Sequence, residues 1–263
     1  MYTEISILKR KLRGLSLRIF NVIENNGDCR FEKNGENFFI DNLFQSFKNY
    51  GEKKIVFDIG ANIGEYAQMI EDKSLQSNVD VELHVFEPTK SCFSTISKKF
   101  SNKDHITLNN FGVSNSDDGA TIYYDKEESG LASLYQRNLD SYNLELNKSE
   151  EISLRRIDSY IEEKKITHID LIKIDIEGHE LKAFEGFGGY LNGDFIDYIQ
   201  FEYGGANLDS HSSLMEIYKL LSNNGFKITK VMPNGLEIRE YSPFMDNFNY
   251  SNYVAVSEKV IKS

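Results

Sequence analysis

The sequence predicts an α/β fold: a doubly wound, mostly parallel sheet of seven strands, preceded by a helical extension. Three observations predict it. An apolar run, Ile55-Val56-Phe57, closes on Asp58 and on Gly60-x-x-x-Gly64, and helix-compatible residues Glu65 to Glu71 follow. Strand, glycine turn and helix in that order bring backbone N–H groups and a helix N-terminus to a nucleotide-like ligand. A second short strand, from Val81 to Phe86, ends in the acid Glu87 and Pro88. From there strands alternate with helices, which argues for an open parallel sheet whose ligands bind at strand C-terminal ends.

Composition bounds the reading. The chain has 263 residues, 40% hydrophobic and 13% aromatic, enough for one sizeable core. A net charge of −11 argues against general nucleic-acid binding, which needs a basic footprint. The two cysteines, Cys29 and Cys92, have no metal-type spacing and suit a reduced protein. With no signal-peptide pattern and no apolar run near the roughly 20 residues of a membrane span, a cytoplasmic location is expected.

Taken in order, Ile5 to Ile23 reads as a helix, with Ile5, Leu8, Leu12, Leu15, Ile19 and Val22 forming an apolar seam. Lys9, Arg10, Lys11, Arg13 and Arg18 cover its other faces. Such a helix packs on its own domain or another subunit, or makes a peripheral contact with an anionic membrane. Cys29 to Glu32 and Asn37 to Ile40 flank Lys33-Asn34-Gly35-Glu36 and predict a short hairpin. Residues 1–50 are thus an N-terminal extension, and residues 51–263 one α/β domain. Within that domain Ser91 to Phe100 suits a helix, and Ile106 to Asn110 the third strand. Gly112 to Tyr124 reads as a turn with a polar–apolar strand, Gly130 to Ser149 as a polar loop, and Arg156 to Ile161 as a helix start. Ile169 to Asp175 is the fourth strand, with a helix from about Leu181. Phe195 to Tyr203 holds the fifth, and Ser213 to Ser222 a helix. Phe226 to Met232 and Tyr253 to Val256 complete the sheet.

The candidate chemistry sits at the strand ends. Gly60-x-x-x-Gly64 is not the Gly-x-Gly-x-x-Gly of a pyrophosphate turn, and Asp58 just before it would repel a phosphate. A cofactor with a cationic group fits better, and S-adenosylmethionine is one; Gly60, Ala61, Asn62, Gly64 and Tyr66 are the turn residues placed to hold it. Glu87 is placed to accept hydrogen bonds from ribose hydroxyls. Asn110, Phe111, Gly112 and Val113 would frame an adenine. Lys173 and Asp175 share one face of a buried strand, and a buried charge is costly unless paired, so they form an ion pair or a functional site. Asp175, Glu177 and His179 are each placed to take a proton from a substrate hydroxyl. Glu202 ends the neighbouring strand; with Asp175 it would hold substrate hydroxyls or, less favoured, a divalent cation. Ser133, Tyr135, Arg137 and Tyr142 mark an acceptor loop or lid. His84, His105, His168 and His211 show no ligand spacing.

Three segments, Val56-Phe57-Asp58-Ile59-Gly60-Ala61-Asn62-Ile63-Gly64, His84-Val85-Phe86-Glu87-Pro88 and Leu171-Ile172-Lys173-Ile174-Asp175-Ile176-Glu177-Gly178, resemble the FkbM-type methyltransferases. Asn110 to Ser114, Ser133-Leu134 and Arg156 to Tyr160 add intermediate matches. The resemblance runs from about residue 54 to 257. It implies a class I S-adenosylmethionine-dependent, Rossmann-like fold and O-methyl transfer, often onto a sugar or secondary metabolite. It carries cofactor binding onto Asp58, Gly60, Asn62, Gly64 and Glu87, and the acceptor end onto Asp175, Glu177 and Glu202. Gly112 stands where the family usually has alanine. The implied partner is a small-molecule or glycan acceptor. Two other classes compete. A nicotinamide oxidoreductase would share the acid after the second strand, but the middle glycine is missing and no Tyr-x-x-x-Lys pair is singled out. A non-catalytic interaction module would keep the shell without needing the strand-end acids.

Overall fold

A computed structural model describes residues 4–48 and 51–262. The strands are β1 (Lys54–Ile59), β2 (Val81–Phe86), β3 (Ile106–Asn109), β4 (Gly112–Val113), β5 (Gly119–Tyr124), β6 (Lys148–Arg155), β7 (Ile169–Ile174), β8 (Ile196–Tyr203), β9 (Phe226–Met232), β10 (Gly235–Ile238) and β11 (Ser251–Ser257). Eight of them form one sheet in the order β10-β9-β11-β8-β7-β1-β2-β3. The run from β3 through β2, β1 and β7 to β8 is parallel, whereas β11 lies antiparallel between β8 and β9. This is the predicted doubly wound, mostly parallel sheet with one strand more than expected: β10, a short return from β9. Its four residues, Gly-Leu-Glu-Ile, bury no side chain, so no apolar pattern announces it.

Both faces of the sheet are covered. On one, Ile59, Ile172, Ile174, Ile199 and Phe201 pack with Tyr160, Phe184 and Leu221 from the helices Ile157–Lys164, Glu180–Gly186 and Leu214–Asn223. On the other, Val56, Leu83, Val85 and Leu171 meet Phe44, Tyr66, Ile70 and Ile96 from the helices Glu36–Phe47, Glu65–Ser77 and Lys90–Lys99. Burial on both faces is why β7 reads as an unbroken buried strand. The helix Leu214–Asn223 begins at a reciprocal cap: the Ser213 hydroxyl accepts from the Glu216 N–H at 3.2 Å, and the Glu216 carboxylate accepts from the Ser213 N–H at 2.9 Å.

The hairpin expected around Lys33 to Glu36 is not formed. Two helices, Phe31–Asn34 and Glu36–Phe47, occupy the segment. The apolar residues Phe39, Ile40, Leu43, Phe44 and Phe47 recur at helical spacing and all are buried. Gly35 separates the helices at φ 97°, where a Cβ would stand 2.1 Å from the Met232 carbonyl oxygen; only glycine permits that joint. The helix Ile7–Ile23 is present as predicted, and none of its residues is buried. Among the described residues, no helix is long and apolar enough to cross a membrane.

A second sheet, in the order β4-β6-β5, stands apart from the first. The strand expected within residues 112–124 is β5, whereas β6 takes up the end of the expected loop and the residues leading into the helix Ile157–Lys164. Only Ile152 of β6 is buried, too little for a strand pattern. This small sheet roofs the C-terminal ends of β1 and β2.

Candidate active site

At those strand ends lies a cleft of about 790 Å³, its mouth included. The main sheet supplies the floor through Ile59, Gly60, Phe86, Glu87 and Asp175; Ile122, Ile152 and Leu154 come from the small sheet. The position follows from topology. β1 is flanked by β7 on one side and β2 on the other, so the connections leaving it diverge and open a crevice.

The glycine turn is built for close approach. Gly60 sits at φ 87°, and a Cβ there would come within 1.9 Å of the Asp175 carbonyl oxygen. The turn therefore lies directly on the end of β7, and the two halves of the site share one backbone contact. Asn62 follows at φ 48°, and its side-chain Nδ2 donates to the Ser129 carbonyl at 3.0 Å, tying the turn to the residue that leads into the polar loop.

Glu87 is buried and fixed from three directions. Its Oε2 accepts from the Asn62 N–H at 2.9 Å; its Oε1 accepts from the Thr89 N–H at 2.8 Å and the Thr89 hydroxyl at 2.6 Å. A carboxylate has about four acceptor positions, so one remains for a ligand hydroxyl. Burial pushes its pKa up, against the pull of the Thr89 and Asn62 donors. Asn110 donates to the Glu87 and Pro88 carbonyls at 2.9 and 3.1 Å and so holds the strand end.

The opposite wall is Asp175, Ile176, Glu177 and His179. Behind it lies Lys173, which is 2% exposed and stands 3.3 Å from Glu202, 3.6 Å from Asp175 and 3.7 Å from Glu36. Burial opposes its charge, but those three carboxylates hold its pKa well above the usual value. Asp175 is raised well above the carboxylate range by burial and by Glu202, with Lys173 pulling the other way. Lys173 is thus ion-paired, and one of its partners, Asp175, lines the cleft. Its ammonium also bridges Asp175 and Glu202. The Tyr250 hydroxyl donates to Glu202 at 2.8 Å.

Glu177 is joined to Arg137 at 2.6 Å, and Arg137 also reaches Asp209 at 3.3 Å. Burial lifts the Glu177 pKa to about 8 despite Arg137. The Ser133 hydroxyl donates to the Glu177 carbonyl at 2.8 Å. His179 has one ring nitrogen 2.9 Å from the Ser114 hydroxyl and the other 2.9 Å from the Tyr135 hydroxyl. Burial lowers its pKa to about 4, so it is neutral at pH 7.

The structure thus brings Gly60, Asn62, Glu87, Pro88, Gly112, Val113, Asp175, Glu177 and His179 to one cleft. Other predicted residues lie outside its lining. Asp58 is buried beside Ala67 of the helix Glu65–Ser77, and one of its carboxylate oxygens has no hydrogen-bond partner; burial raises its pKa to about 7. Tyr66 is also buried and donates to Gln200 at 3.0 Å. Ala61, Gly64 and Asn110 shape the turn and strand end, while Lys173, Ser133, Arg137 and Glu202 stand behind the wall. Sequence reasoning missed Thr89, the partner of Glu87, although a hydroxyl two residues after a strand-end acid is a signal. It also missed Glu36, which is fully buried and accepts from Asn34 at 2.6 Å, Asn252 at 3.1 Å and Gln200. The Tyr-x-x-x-Lys spacing does occur at Tyr160 and Lys164, but Tyr160 is a core residue with its hydroxyl 2.7 Å from a His84 ring nitrogen. His168, Asp170 and Asp197 cluster at the far end of β7 and β8; Asp170 is already paired with Lys54 at 3.0 Å.

Comparison with known proteins was made on sequence and on structure. No curated protein matches the chain. The crystal structure of methyltransferase FkbM from Methylobacillus flagellatus is 16% identical, over 82% of this chain and 48% of that one, with a TM-score of 0.49. An S-adenosylmethionine-dependent methyltransferase from Agrobacterium tumefaciens is 7% identical, over 83% and 61%, at 0.41. Aeropyrum pernix fibrillarin, solved with S-adenosyl-L-methionine bound, is 11% identical, over 82% and 76%, at 0.41. The chain spans about half the length of the Methylobacillus protein. The sequence profile of the methyltransferase FkbM domain matches residues 58–228, most of the chain and every residue of the cleft floor. With the glycine turn, Glu87 and the wall from Asp175 to His179 inside that match, the chain belongs to the FkbM methyltransferase family.

Proposed function

We propose that this protein is an S-adenosylmethionine-dependent O-methyltransferase acting on a hydroxyl of a sugar, a glycan or a secondary metabolite. The observation that carries the reading is the pairing, in one cleft, of a fixed acceptor for one ligand hydroxyl with a wall of ionisable side chains. Glu87, held by Asn62 and Thr89, is the first; Asp175, Glu177 and His179 are the second.

The residues fit the cofactor. Phe111, Leu134 and Leu154 offer apolar surface for a flat ring, and Glu87 keeps one acceptor position for a ribose hydroxyl. Among the described residues the cleft lining carries Glu87, Asp175 and Glu177 and no lysine or arginine, which disfavours a phosphate. When bound, the sulfonium supplies an activated methyl group, which leaves the protein chiefly to align the acceptor and take its proton.

Asp175 is best placed for that proton. It lines the cleft, and its raised affinity for protons makes it a better base than an ordinary carboxylate. Glu177 is engaged by Arg137, and both nitrogens of His179 are engaged by hydroxyls, so these two shape the acceptor end. With the donor bound, Asp175 would take the proton of the acceptor hydroxyl.

Calorimetric titration with S-adenosylmethionine, S-adenosylhomocysteine and NAD tests the donor site. Binding of the first two is expected, weakened about tenfold to a hundredfold in Glu87→Ala by loss of a charged hydrogen bond. Binding of NAD alone would move the protein to the oxidoreductases. With methyl-labelled donor and a panel of sugars and hydroxylated metabolites, NMR of the product should show a methyl ether; an N- or C-methyl product would refute the oxygen acceptor.

A further inference from the structure

The helix Ile7–Ile23 is presented by the fold without being packed into it. It buries no residue, yet the chain just after it is held fast. Glu24 accepts from Lys230 at 3.3 Å and Arg239 at 3.1 Å; Asn25 donates to the carbonyls of Asn34 at 2.7 Å and Val231 at 2.9 Å. Asn26 accepts from Lys230 and from Ser251, both at 2.7 Å, and the Gly27 N–H donates to the Tyr250 carbonyl at 2.9 Å. These contacts pin the joint to β9 and β11. A helix that were merely a tail would need no such joint.

One arc of the helix surface is apolar; Ile7 and Leu17, 66% and 54% exposed, lie outside it among the cations. Leu8, Leu12, Leu15, Ile19, Val22 and Ile23 are each between 51% and 81% exposed. At 3.6 residues per turn they fall within an arc of about 100°. Lys11 and Arg18 border that arc on one side, Lys9 and Arg13 on the other, and residues 7–23 include no acid. The chain's net charge is −11. Its five helix cations, Lys9, Arg10, Lys11, Arg13 and Arg18, are thus segregated from an acidic remainder.

We infer that this helix docks on an anionic lipid surface, lying along it with the leucine arc turned inward and the flanking cations at the headgroups. An anionic bilayer supplies apolar burial and negative charge at the same place, which the helix surface demands together. A coiled-coil pair of two such helices would set Lys9, Lys11 and Arg18 along the flanks of its seam, where like charges oppose pairing. At about 25 Å in length the helix suits a position in the interface plane. The inference does not depend on methyl transfer.

The test is sedimentation of the full chain with vesicles of phosphatidylcholine, alone or mixed with phosphatidylglycerol. Binding to the mixed vesicles only is expected, weakening as salt screens the charges. Combined Lys9→Glu, Lys11→Glu and Arg18→Glu should lower it on the order of a hundredfold, and combined Leu12→Asp and Leu15→Asp should abolish it. Both variants should keep the parent's circular dichroism and unfolding temperature. Equal binding to both vesicle types, or binding to neither, overturns the inference. So does a concentration-dependent dimer, without vesicle binding, that Leu12→Asp dissociates; that result would assign the surface to a second copy.

Discussion

Asp58 shows how this site holds charge at a cost to stability. Its carboxyl is fully enclosed, one oxygen has no partner, and burial raises its pKa from 3.8 to about 7. Because the folded state binds the proton more tightly than the unfolded one, the stabilising contribution is complete below pH 3.8. It is lost as pH rises to about 7 and is constant beyond that. Asp58→Asn has no proton to lose. It should therefore match the parent at pH 4 and exceed it by about 2 kcal/mol at pH 8, with about 4 kcal/mol as the ceiling. Urea unfolding at the two pH values measures this, and an equal difference at both would show that Asp58 is not the source. Asp175, the proposed base, carries the same logic. Burial and Glu202 raise its pKa, so the methyl-transfer rate should fall as pH drops through that raised value. Glu202→Gln removes the repelling charge and should move the midpoint of the pH–rate profile to lower pH. An unmoved midpoint would leave Asp175 without a role as base.

At the level of elements, what could be read from sequence depended on whether an element carries its own pattern. The first strand, the glycine turn and Glu87 were legible because a strand buried on both faces is continuously apolar and its end is marked by acid and glycine. The helix Leu214–Asn223 was legible from Ser213 and Glu216, which cap it. Gly130 to Ser149 carries no apolar period, so sequence could offer its residues only as a loop. The structure ties the residue just before that loop, Ser129, to the turn through Asn62, and the loop itself to the wall through Ser133 and Arg137. β6 and β10 were illegible because their partners, not their own residues, make them strands. The misread hairpin is the instructive case. Phe38-Phe39-Ile40 has strand-like composition, and only Leu43, Phe44 and Phe47 beyond it reveal the helical period that buries the segment. Phe44 is wholly buried against the sheet. Phe44→Ala should therefore cost about 3–5 kcal/mol in urea unfolding, as for a large core side chain. A loss below about 1 kcal/mol would show that this helix is not part of the core.

For the whole molecule, the question is where the folded unit begins. Sequence divides the chain at residue 50, where a helix and an expected hairpin give way to the first strand of the α/β pattern. The contacts across that point are of core quality. Phe39, Ile40, Leu43, Phe44 and Phe47 share one cluster with Val56, Leu83 and Leu171 of the sheet, and Glu36 enters the network around Lys173. At about 1.5–3 kcal/mol for each buried side chain, those five residues together contribute about 10 kcal/mol, comparable to the entire stability of a typical domain. Their removal would also leave Lys173 without one of its three carboxylates and expose the apolar face of β1. The first helix is different: it buries nothing, and the joint from Glu24 to Gly27 survives without it. A chain starting at Glu24 should accordingly fold, bind the methyl donor as the parent does, and unfold within a few degrees of it. One starting at residue 51 should be insoluble or lack a cooperative transition. Differential scanning calorimetry of the two truncations decides the matter, since a sharp, parent-like transition in the shorter chain would place the boundary at residue 50 after all.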